Sequence, residues 1–233
     1  MPREFEIRRE VELPASPEEV WDAVTTAAGN AAWLFPSEPT EPTVSERPHR
    51  FAVRQEEGDW FNALEFVIEA REGGTTLLRY AHSGVFVDDW DTQYDAVNQH
   101  TDFYLHTLGQ YLAHFAGRRA TYVGDVPGGV QAPEASAQPD GLDRLQRALG
   151  LPEGAGESDA AQLSPDGLEP IEGVIDYRRG PFLGIRTADG LYRFFGRNAF
   201  GAPVGVVLHS FRDGVDADQA KAAWHAFLDG VYA

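Results

Sequence analysis

His82 is the side chain in this sequence best placed to do chemistry. It closes the run TTLLRYAHS, with Tyr80 on the same face of a predicted strand. An imidazole there can act as a general base, hydrogen-bond a ligand, or simply cap the next helix and bond a backbone group. His209, in VVLHS, carries the same ambiguity. His100, His106 and His114 fall on one predicted helix, but no two are four residues apart, so no pair presents both imidazoles to one metal. There is no HExxH, no GxSxG elbow, no phosphate-cradling loop and no dinucleotide fingerprint; Gly73-Gly74 and Gly128-Gly129 read as turns. Carboxylates are abundant, but sequence does not show which converge. No catalytic residues, metal or cofactor are therefore expected.

The element that must position these groups is a long helix over residues 88–117. Trp90, Tyr94, Val97, Thr101, Leu105, Leu108, Leu112 and Phe115 recur at steps of three and four, which places them on one face. Asp91, Asp95, Gln99, Asp102, His106 and Gln110 fall largely opposite. Asp88 and Asp89 suit the positive end of the helix dipole, and Gly117 suits its close. Phe103 lies on the polar side, where it would anchor a second unit or a partner subunit.

Upstream, EFEIRREVEL alternates as a half-buried strand. Ser16-Pro17-Glu18-Glu19 is a capping box with proline at the first helical position, opening a helix that turns Val20, Trp21 and Val24 inward. NAAWLF, residues 30–35, reads as a second short helix. Strands follow at 44–46, 50–56, 60–69 and 75–82. The order strand, helix, helix, antiparallel strands, long helix is a complete α+β plan.

After Gly117 the pattern restarts. Residues 120–126 read as a strand, residues 127–139 as a mobile linker, and Leu142, Leu145, Ala148 and Leu149 as a short amphipathic helix. Residues 151–169 read as loop. Four strands between 171 and 211 come next, with Asp189-Gly190 as a hairpin signal. Tyr192-Arg193-Phe194-Phe195 reads as one of those strands. A last helix opens at Asp216 and buries Ala220, Trp224, Phe227 and Val231. Strand, His-Ser, loop and acidic helix start occur in both halves, which suggests an internal repeat.

Composition limits the function classes. The chain has 233 residues, 37 acidic against 19 basic, and a net charge of −18. Such a surface repels phosphate backbones and anionic lipid, so nucleic-acid and membrane partners are not expected. The absence of cysteine excludes thiol nucleophiles, disulfides and thiolate metal sites. The charged, alternating N-terminus is not a signal peptide, and no apolar run approaches the ~20 residues of a membrane helix. A cytoplasmic protein is the expectation.

VELPASPEEVWDAVTTAAGNAAWLFPSE resembles the opening of START-like proteins (SRPBCC, helix-grip or Bet v 1-like). GGTTLLRYAHSGVF, followed by the Trp-containing long helix, resembles their C-terminal part. The nearest branch is the bacterial relatives of the activator of the 90-kDa heat-shock chaperone ATPase. The likeness covers residues 4–117. It departs from that branch where HRFAVRQEEGDWF replaces a glycine-paired central strand.

The resemblance implies an α+β helix-grip fold: a curved antiparallel sheet around a long C-terminal helix. With the internal repeat it implies two units in tandem, 1–118 and 119–233, the second shortened and lacking the second small helix. It also implies an apolar cavity between sheet and helix. Trp33, Phe35, Phe51, Phe61, Phe66, Tyr80, His82, Trp90, Tyr94, Thr101 and Leu105 are the candidate liners. The same side chains could equally fill a solid core. Binding of a small hydrophobic molecule, lipid- or polyketide-like, ranks first. A chaperone-associated or other protein-interaction module with a filled core ranks second, and an aromatase/cyclase-like enzyme third. A homodimer or interdomain packing at Phe103 is also an expectation.

Overall fold

The computed structural model describes residues 3–36, 40–86, 89–127 and 133–233. It divides into two compact units, residues 1–119 and 120–233. Asp88 and the linker residues 128–132 lie outside the described residues, as does 37–39.

In the first unit, strand β1 (Arg3–Leu13) leads into helix α1 (Pro17–Thr25) and the single turn α2 (Ala27–Asn30). The capping box forms as its residues require: the Glu19 N–H donates to Ser16 Oγ, and the Ser16 N–H donates back to the Glu19 carboxylate at 2.8 Å. Strands β2 (Pro42–Glu46), β3 (Arg50–Glu57), β4 (Trp60–Ala70) and β5 (Thr76–Phe86) then form a meander. Pairing of β1 with β5 makes a five-stranded antiparallel sheet ordered β1-β5-β4-β3-β2. The expected short helix over 30–35 does not form. Its helical turn comes earlier, capped by Thr26, whose hydroxyl accepts from the Gly29 N–H.

Helix α3 (Trp90–His114) runs for 25 residues. Asp89 is its N-cap residue but makes no side-chain capping bond. The helix lies on β1 and α1, and α1 lies on β4. Leu13, Val20, Trp21, Val24, Ile68 and Leu78 are buried together with Leu105, Leu108, Leu112 and Phe115, so one end of the unit is solid core. Each such aliphatic side chain contributes about 1.5–3 kcal/mol by leaving water. Phe103 falls among the polar positions of the helix yet is wholly buried at 0% exposure, and Thr107 and Tyr111 nearby are buried too. The C-terminal half of α3 is therefore buried over more than one apolar stripe.

The second unit repeats the plan. Strand β6 (Thr121–Pro127) precedes two short helices, α4 (Pro133–Ser136) and α5 (Gly141–Ala148). Strands β7 (Ala160–Leu163), β8 (Ile171–Arg179), β9 (Phe182–Thr187), β10 (Gly190–Phe195) and β11 (Gly205–Ser210) follow, then helix α6 (Ala217–Tyr232). First strand again pairs with last, giving the order β6-β11-β10-β9-β8-β7. Two expectations are corrected. Both small helices are present, and residues 151–169 contain strand β7. What is shorter is the terminal helix, 16 residues against 25 in the first unit. Each unit is thus an antiparallel sheet carrying a terminal helix.

Candidate functional site

The register of the first sheet decides which side chains share a face. Residues directly opposite in antiparallel strands point the same way. Arg9, Tyr80, Phe66 and Phe51 form one row across β1, β5, β4 and β3. Ile7, His82, Leu64 and Val53 form the next, and Phe5, Gly84, Asn62 and Gln55 the one beyond. This is the face toward α3, because Arg9 of the first row reaches Asp102 and Asn98 on that helix. Its Nε donates to Asp102 at 2.6 Å and its Nη2 to Asn98 at 2.7 Å.

Burial is graded along this face. Near α1 the side chains are closed off, whereas Phe51, Val53, Asn62, Leu64, Tyr80 and His82 are only half-buried. So are Trp90, Tyr94 and Val97 in the N-terminal half of α3. Side chains between the sheet and the N-terminal half of the helix are accordingly less closed off than those near α1. The sheet forms an aromatic wall here. Phe66 meets Tyr80 edge-on at 5.4 Å, and Phe51 bridges Phe66 at 6.5 Å and Trp21 at 5.8 Å.

His82 lies at the polar end of that wall. It does not end a strand, as its sequence context suggested, but sits in the middle of β5, which runs on to Phe86. Its Nε2 is 2.7 Å from Asn62 Oδ1, and Phe5 packs edge-on to the ring at 5.0 Å. An amide oxygen as partner requires the proton on Nε2 and leaves a lone pair on Nδ1. Burial without a carboxylate partner depresses the imidazole pKa to about 4. At neutral pH the ring is uncharged, a hydrogen-bonding group rather than a base poised for proton transfer. Gly84 makes room here, since a Cβ would lie 2.8 Å from the Phe5 ring. Burial also raises the Tyr80 phenol well above its usual range.

The structure brings together Phe51, Phe66, Tyr80, His82 and Thr101 from the predicted set, with Leu105 buried at the closed end. Five others sit differently. Trp33 is a core residue whose indole N–H donates to Ala23 O at 2.9 Å. Phe61 is on the opposite face of β4, where the Arg54 guanidinium lies 4.0 Å over its ring. Phe35 is 46% exposed and leans edge-on to Tyr104. Trp90 and Tyr94 stack on each other at 4.7 Å beside β1, with Arg3 4.2 Å above Trp90. Period-four spacing along α3 put them in line with the wall, but the helix presents that stripe to β1. Asn62 and Leu64 were missed. Alternation within NALEFVI, set against Tyr80 and His82, contains the signal, but only once the β4–β5 register is known.

Among the described residues, no group of three or more His, Asp or Glu side chains is placed to hold a metal, and no helix is long and apolar enough to cross a membrane.

No protein-family model and no curated protein matches this chain. Solved structures do. The di-domain ARO/CYC BexL from the BE-7585A biosynthetic pathway is similar at 13% identity over 98% of both chains, with a TM-score of 0.42. DynU16, from the dynemicin biosynthetic locus, is similar at 16% identity over 97% of this chain and 95% of that one, with a TM-score of 0.41. The Aha1 dimer from Colwellia psychrerythraea shares 19% identity over 46% of this chain and 96% of that one, with a TM-score of 0.39. By its own topology, the chain is a tandem helix-grip protein of the α+β class.

Proposed function

We propose that the first unit binds a small hydrophobic molecule, lipid- or polyketide-like, in the cleft between its sheet and the N-terminal half of α3. The observation that carries this reading is the half-buried aromatic row Phe51, Tyr80 and their neighbours, left partly open beside a fully closed core. Flat apolar walls with few polar groups suit a ligand that is gripped by area and oriented by one or two hydrogen bonds. The neutral His82–Asn62 pair and the Tyr80–Thr101 pair supply those bonds without charge. A histidine held uncharged down to about pH 4 favours binding over acid–base turnover.

The protein-interaction reading draws support from two exposed large apolar side chains, Phe35 at 46% and Trp60 at 39%. It needs no cleft and ranks second.

The neutral dye Nile red separates them. Saturable binding with a blue-shifted emission is expected, and Leu64→Trp, which fills the cleft beside His82, is expected to abolish it with the far-UV spectrum unchanged. Binding that is equal in the folded Leu64→Trp variant would overturn the assignment.

A further inference from the structure

A second groove of about 730 Å³ lies wholly within the second unit. Tyr192 lines it, beside the nearly buried Ile171, Leu208 and Trp224, and Leu168 and Val215 complete its apolar lining. Helix α6 contributes Gln219, Ala220, Ala223 and Trp224, and the two alanines take up little of the volume. That volume is of the size that encloses a small organic molecule.

The groove's charged groups are mostly of one sign. Four carboxylates, Glu169, Glu172, Asp189 and Asp216, line it beside a single guanidinium, Arg212. Arg212 is already held by Glu169 at 2.9 Å. Asp216 caps α6 by accepting from the Gln219 N–H at 3.0 Å, and Asp189 accepts from the Thr187 hydroxyl at 3.1 Å. Each retains acceptor capacity and its charge. Among the described residues, neither the Glu172 carboxylate nor the Tyr192 hydroxyl has an ion-pair or hydrogen-bond partner. The Tyr192 ring beside a rim of carboxylates attracts positive charge twice, through the ring and through the acids. It disfavours the anionic or neutral ligands that an uncharged cleft accepts.

We propose that this groove is a separate binding site for an organic cation: a flat apolar skeleton carrying a protonated amine, its rings against Tyr192 beside Trp224 and its ammonium toward Glu172 and Asp189. The site shares no residue with the cleft of the first unit and stands independently of the function proposed there.

Two isosteric probes test it on the full chain by calorimetry at low salt: 2-naphthylmethylamine, cationic at pH 7, and the neutral 2-naphthylmethanol. The amine is expected to bind about tenfold or more tightly than the alcohol. Glu172→Gln should weaken the amine by about threefold and leave the alcohol unchanged. Ala223→Trp should abolish amine binding. If that variant does not fold, the indole resonance of Trp224 in the native protein gives the same answer, because the amine must shift it. Leu64→Trp, in the other unit, should leave amine binding intact. Equal affinity for the two probes, an unmoved Trp224 resonance, or loss of binding in Leu64→Trp but not in folded Ala223→Trp would each overturn the proposal.

Discussion

Gly184 has no side chain because a buried ion pair occupies the space. The Arg193 guanidinium grips both Asp176 oxygens, at 2.8 and 2.9 Å, with the two side chains 1% and 4% exposed. A Cβ on Gly184 would come within 3.0 Å of Asp176 Oδ1 and closer still to Arg193 Nη1. Disturbing one member of a buried pair leaves a charge uncompensated, so Gly184→Ala should destabilise by on the order of 3 kcal/mol in urea titration. His82 gives a prediction in pH. Its folded pKa of about 4 lies below the ~6.5 of an unfolded histidine, so below pH 6.5 the unfolded chain takes up a proton that the folded one refuses. Stability associated with His82 is therefore full above pH 6.5, falls as pH drops toward 4, and totals at most roughly 3 kcal/mol. His82→Gln should lose less stability over that window than the native protein in matched melts. Neither role was legible in the sequence. YRFF reads correctly as a strand, but a partner for Arg193 from a bulge in β8 does not follow from spacing.

Local signals were most legible where one element contains both partners of an interaction. Ser16 and Glu19 are three residues apart and cap α1 as their types demand, and Ser16→Ala should cost about 1 kcal/mol in a thermal melt. Asp189-Gly190 joins β9 to β10, and Asp216 caps α6 through the Gln219 N–H. The Pro-Gly-rich surroundings hid β7, a four-residue strand whose alternating burial is too short to stand out. In α3 the three-four spacing located the helix but not all its neighbours. Trp90 and Tyr94 turn toward β1, and Phe103, read as polar-side, is fully buried. Phe103→Ala should accordingly cost about 3–5 kcal/mol, measured by chemical denaturation, where a surface phenylalanine would cost almost nothing.

On the scale of the chain, two units repeat one plan, first strand paired with last and a helix closing each. Hydrophobic periodicity made that repeat visible, because both sheets need the same alternation and both helices the same stripe. It could not tell a cleft from a core, since a half-buried phenylalanine and a buried one are the same letter. The central claim is that the first unit holds a small apolar ligand in its cleft. Native mass spectrometry of the purified protein, beside the same sample denatured and extracted with organic solvent, tests it most directly. A mass adduct is expected that disappears on denaturation, yields an apolar molecule in the extract, and is absent from Leu64→Trp. A bare native mass, together with no thermal shift across a library of apolar compounds, would contradict it.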